Sequence, residues 1–162
     1  MGTALHEAAL KAVETGFQWA VQGAEERRNQ FCVLFGKASR LMSQYGFTFP
    51  EGEPPRAFDT LAISSPMGPL RLDFMKVLDD DGALTCAAVF TDVPMWSRSQ
   101  DRRLLFVATL KGSGEWLGDD GRGLYAFHDQ FVPATALDAV RRALARKLAF
   151  DTERLRATPN NE

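Results

Sequence analysis

Histidine occurs only twice in this 162-residue chain, at positions 6 and 128, which severely restricts acid–base or metal chemistry. His6 belongs near the amino end of a helical stretch, where exposure to solvent is expected. His128 precedes Asp129 at the end of an apolar run. If Asp119 or Asp120 closes a preceding hairpin against it, Ser113 would complete a nucleophile, base and carboxylate set of hydrolytic type. Neither G-x-S-x-G nor H-E-x-x-H accompanies these residues, so the sequence favours a structural histidine over a catalytic one. No catalytic, cofactor-binding or metal-ligating set is assigned.

Lys111-Gly112-Ser113-Gly114-Glu115-Trp116-Leu117-Gly118 is glycine-rich and follows a strand pattern. Its spacing is not that of G-x-G-x-x-G, and no helix pattern opens after it to receive a phosphate. Tight turns and bulges between antiparallel strands are the expectation. Asp79-Asp80-Asp81-Gly82 and Asp119-Asp120-Gly121 are acidic turns. Read as a calcium loop from Asp79, the pattern fails, with Leu84 where the glycine should stand and Phe90 at the twelfth place. Both read as hairpin turns.

The segment Pro94-Met95-Trp96-Ser97-Arg98-Ser99-Gln100-Asp101-Arg102-Arg103 carries the residue types that dominate the energetic centres of protein interfaces, on a loop between strands. Met95, Trp96, Arg98, Arg102 and Arg103 are the candidate partner-binding residues. The bland alternative is that Trp96 folds over one end of the core. A second basic group, Arg141, Arg142, Arg146 and Lys147, lies on a C-terminal helix pattern, where Asp138 is one turn from Arg142. A solvated helix face explains it best, ahead of an acidic protein surface or nucleic acid.

These groups must be positioned by three blocks. From Leu5 to Tyr45 the apolar residues keep helical phase: Leu5, Ala9, Val13, Phe17, Ala20 and Ala24, then Phe31 to Tyr45. Arg27 falls inside the apolar face. One helix of that length would span about 60 Å, too long for a small domain to cover alone. The chain therefore forms either a long N-terminal helix that pairs in a homodimer or a helical hairpin bent near Glu25 to Gln30. Pro54-Pro55 ends the helical period, because neither residue can donate to a helix or a central strand.

Beyond it the period becomes two. Strands are expected at Phe58 to Ser64, from Leu70 through Leu72 and Phe74, from Leu84 through Phe90 to Pro94, from Leu104 to Leu110 and from Leu124 to Phe127. They form an antiparallel meander of five to six strands. Pro133 then opens a C-terminal helix whose stripe of Leu137, Val140, Leu144 and Leu148 should lie on the sheet. The fold class is α+β, one domain over 1–156 with a frayed polar tail over 157–162.

A formal net charge of -2 argues against a surface built to hold a phosphate backbone. No apolar run reaches the roughly 18 residues of a membrane span, and the N-terminus lacks the form of a signal peptide. A cytoplasmic location is expected. Cys32 and Cys86 each lie in apolar stretches and are read as free core thiols. The excess of Arg over Lys hints at a GC-rich bacterial source.

The resulting expectation is a non-enzymatic intracellular protein–protein interaction module, an adaptor, inhibitor or chaperone-like protein, with an unidentified protein partner and no cofactor. In element order the chain resembles small secretion chaperones, at the level of fold alone. The alternatives are a domain binding a small apolar ligand between residues such as Phe74 and Phe90, a hydrolase centred on His128, or a nucleic-acid binder using the C-terminal helix.

Overall fold

A computed structural model describes residues 2–15, 26, 60–111, 115–124 and 133–157. The elements are α1 (Gly2–Thr15), β1 (Leu61–Ile63), β2 (Leu70–Leu78), β3 (Leu84–Asp92), β4 (Arg103–Leu110), β5 (Trp116–Gly118) and α2 (Pro133–Ala157). The strands form one antiparallel sheet in the order β1-β2-β3-β4-β5, the sequential meander that alternation and turn residues predict. Whether the segment after Thr15 continues as one helix or doubles back lies outside the described residues, as do Cys32, Ser113 and His128.

Alternation sorts the sheet into two faces. Leu70 and Leu72 of β2, Cys86, Ala88 and Phe90 of β3, Phe106, Ala108 and Leu110 of β4 and Trp116 of β5 are buried in one cluster with Ala139, Val140, Ala143 and Leu144 of α2. Of the two rings expected to line a cavity, Phe90 lies within this cluster and Phe74, partly buried, packs against it. Cys86 is a buried free thiol. On the opposite face Met75 is half-exposed, while Thr85 is buried and its hydroxyl donates to the Leu110 carbonyl at 2.8 Å.

One expectation needs correction, on α2, and one strand was not foreseen: β5 is Trp116–Gly118, inside the glycine-punctuated stretch, while the strand expected over Leu124 to Phe127 lies outside the described residues beyond Leu124. The turn closed by Gly121, whose N–H donates to the Gly118 carbonyl, folds the chain back at once, and Leu124 N–H donates to the Trp116 carbonyl. Residues 125–132 are not described. On α2, Val140 and Leu144 are buried, but Leu148 is 55% exposed. The buried line is Ala139, Val140, Ala143, Leu144 and Lys147, and at about 100° per residue Leu148 lies a full step beyond Lys147, which sits mid-stripe.

The β2–β3 turn is made by Asp79, whose carboxylate accepts from Asp81 and Ala83 N–H, and by Gly82 at φ +80°, a left-handed conformation that costs a residue with a Cβ about 1–2 kcal/mol. α1 meets the sheet here, with the Ala8 methyl 3.6 Å from where a Gly82 Cβ would stand. At the far end of β3 the ladder to β4 slips: Phe90 opposes Phe106, yet Thr91 opposes Leu104. Leu105 is the extra residue of a β-bulge.

Candidate interaction site

The bulge is what assembles this end of the molecule. In an unbroken antiparallel register the residue opposite Asp92 would be Leu104, and Arg103 would fall beyond it on the other face. With Leu105 taken up by the bulge, Arg103 comes opposite Asp92 and on the same side. Asp92 has no exposed side-chain surface. Arg103 Nε and Nη2 donate to its two carboxylate oxygens at 3.0 and 2.9 Å, the two-pronged geometry that makes guanidinium–carboxylate pairs strong. From α2, Lys147 Nζ donates to Asp92 Oδ2 at 2.6 Å. Asp151, one turn on, accepts from Arg103 at 3.0 Å and lies 3.7 Å from Lys147. Burial pushes the Asp92 carboxyl up. The hydrogen bonds from Arg103 and Lys147, with their positive charges, outweigh that and hold it below its ordinary value.

Beside this base two rings and two cations meet. The Arg103 guanidinium lies 5.5 Å from the Phe150 ring centre and 5.4 Å from that of Trp96. Arg154, from the last turns of α2, lies 5.8 Å from the Trp96 centre. Each contact is a cation over the negative face of a ring, worth about 0.5–1 kcal/mol where solvent reaches it. Trp96 nevertheless remains 44% exposed and its neighbour Met95 is 99% exposed. The tip is shaped by a turn in which Ser97 N–H donates to the Pro94 carbonyl at 3.0 Å.

Of the five residues singled out by type, the structure brings Trp96 and Arg103 into direct contact and places Met95 beside them at the outer limit of the loop. Arg102 reaches across to the end of β3, donating to the Thr91 hydroxyl at 2.8 Å and carbonyl at 3.2 Å. Burial, and then the nearby charge of Arg71, push Arg102 below its usual value. Arg98 is exposed on the loop. The cluster also contains Asp92, Lys147, Phe150, Asp151 and Arg154, which the sequence reading did not assign to it. A lysine in the middle of a helix's buried stripe is the signal that could have pointed to a buried carboxylate opposite.

The other candidates are placed as follows. Asp119 accepts from Arg146 at 3.1 Å, Asp120 from Arg142 at 3.1 Å, and Arg142 also meets Asp138 at 2.9 Å, one helical turn away as its spacing predicts. Two arginines of the C-terminal basic group are thus engaged with carboxylates of their own chain, and both acidic residues proposed for a hydrolytic set are engaged with arginines. Among the described residues no group of three or more His, Cys, Asp or Glu side chains is arranged to hold a metal ion, and no helix is long and apolar enough to cross a membrane.

Comparison of the chain with protein-family models, with curated proteins and with solved structures gives no match.

Proposed function

We propose that this chain is a non-enzymatic protein–protein interaction module and that Met95, Trp96, Arg98, Arg102 and Arg103 form its contact surface. One observation carries the reading: a half-exposed tryptophan has the guanidinium groups of Arg103 and Arg154 over its ring, at 5.4 and 5.8 Å, beside a buried ion cluster and a fully exposed methionine. An aromatic ring whose only task was to close the core would be covered. Here the fold spends a bulge and a buried carboxylate to fix a ring at the surface, and a pre-ordered anchor loses little freedom when a partner covers it. Trp, Met and Arg are also the types that dominate binding energy at interface centres.

The test is affinity capture from the native lysate with the wild-type chain and with Trp96→Ala, read by quantitative mass spectrometry, after circular dichroism has shown that both are folded. Specific partners should be depleted at least about tenfold with the variant, the effect of losing about 1.4 kcal/mol at a hot spot. Equal recovery of the same partners by both proteins removes Trp96 from the surface and with it the reading.

A further inference from the structure

We infer that the surface that seats on the Met95–Trp96 tip is the exposed face of α1 in a second copy of this chain, so that copies associate head to tail. This deepens the reading above and rests on it.

The sheet has two ends of different character. Because the meander is sequential, the β2–β3 turn and the β3–β4 loop lie at opposite ends of β3, whose nine residues span about 30 Å at 3.3–3.4 Å each. The β2–β3 turn exposes Asp80 and Asp81 with Asp79 beside them, and α1, seated on this turn through Ala8, adds exposed Glu7 and Glu14. Among the described residues Lys11, Lys76 and Lys111 are the lysines at that end, fewer than its carboxylates. At the loop end Arg103 and Lys147 are taken up by Asp92 and Asp151, and the loop presents Arg98 and Arg102 against Asp101, with Arg154 reaching it from α2.

Each end also exposes large apolar side chains. On α1 these are Leu5 at 63%, Leu10 at 47% and Val13 at 61%, and on the loop Met95 and Trp96. The two surfaces are thus apolar centres flanked by opposite charge. Pairing α1 with α1, or loop with loop, sets like charges together. Pairing α1 with the loop of another copy sets carboxylates against arginines and covers both apolar centres. Such a contact is heterologous, joining different patches of identical chains. Both patches are small, so the association is weak and responds to ionic strength.

Sedimentation velocity of the full chain at graded concentration tests this, using two exposed-site variants that remove no buried group. Met95→Asp puts a carboxylate on the tip that faces the acidic end, and Val13→Lys puts an ammonium on the face that meets the arginines. The wild type should self-associate at low salt. High salt or either variant should weaken that association about tenfold. An equimolar mixture of the two variants should restore it, because the intact α1 of one then meets the intact loop of the other. A wild type that stays monomeric to about 500 µM at low salt, a concentration at which a contact with a Kd of about 0.1 mM is largely associated, overturns the inference. Unchanged association in either variant overturns it too, as does a mixture no stronger than its components. Trp96-dependent capture of a different protein by a chain that is itself monomeric would leave the interaction reading standing and remove this one alone.

Discussion

Asp92 is the residue on which the loop end depends. Its carboxylate lies wholly inside the protein with Arg103 and Lys147 on its oxygens, and a buried charge that loses its partner costs about 3–5 kcal/mol. Asp92→Asn removes the carboxylate in direct contact with the Lys147 ammonium and leaves it only Asp151 at 3.7 Å, and should destabilise the fold by that order at neutral pH. The titration has a definite sign. Asp92 in the folded protein lies below its ordinary value, so its contribution is fully present above the unfolded carboxyl value of about 3.9 and is lost as pH falls through the folded value. Denaturant midpoints measured from pH 7 downward should therefore converge for wild type and Asp92→Asn in acid. Parallel curves would show that the carboxylate carries no such stability. Gly118 is a different kind of constraint. A Cβ there would stand 2.8 Å from the tip of the buried Phe106 ring, 2.7 Å from Asp120 Oδ1 and 2.9 Å from Arg142 Nη1. The two polar ends can swing away, but the ring is packed on all sides, so Gly118→Ala should cost about 1–3 kcal/mol. An unchanged melting temperature would mean that Phe106 has room to move.

At the scale of elements, α2 shows how a helix chooses its buried face. Leucine spacing points to Leu144 and Leu148 equally, yet the sheet offers a pocket for Leu144 and a carboxylate for Lys147, and the phase that satisfies both turns Leu148 outward. The lysine stem is itself apolar and packs as such, with its charge delivered to Asp92. Leu144→Ala should cost about 2–5 kcal/mol, and Leu148→Ala should stay within about 0.5 kcal/mol. Equal losses at the two positions, read from urea unfolding, would contradict this phase. The bulge at Leu105 is the matching device on the sheet. By consuming one residue it brings Arg103 round to the face of α2, where a regular ladder would have set Leu104 against Asp92.

At the scale of the whole molecule, sheet and α2 share one buried cluster that includes no side chain of α1 among the described residues. α1 touches the β2–β3 turn through Ala8 and leaves Leu5, Leu10 and Val13 exposed. A chain lacking residues 2–15 should therefore keep a cooperative thermal transition and lose no more than about 1 kcal/mol, as for other elements with little buried surface, while losing the head-to-tail association. A loss of several kcal/mol on calorimetry would show that α1 belongs to the core.

The sequence alone determined the meander, the turn at Asp79-Gly82, the start of α2 at Pro133 and the loop that carries Trp96. Those features follow from the stereochemistry of a few neighbouring residues and from the alternation of apolar side chains, both local properties of the chain. The length and place of β5, the buried side of α2 and the ion cluster beneath Trp96 were decided only by tertiary structure. Asp92 and Lys147 are 55 residues apart, and Arg103 and Asp151 are 48 apart. Which charges meet across such separations depends on strand register, on one bulge and on the rotation of a helix. No periodicity encodes these, because each is settled by the packing of one finished element against another.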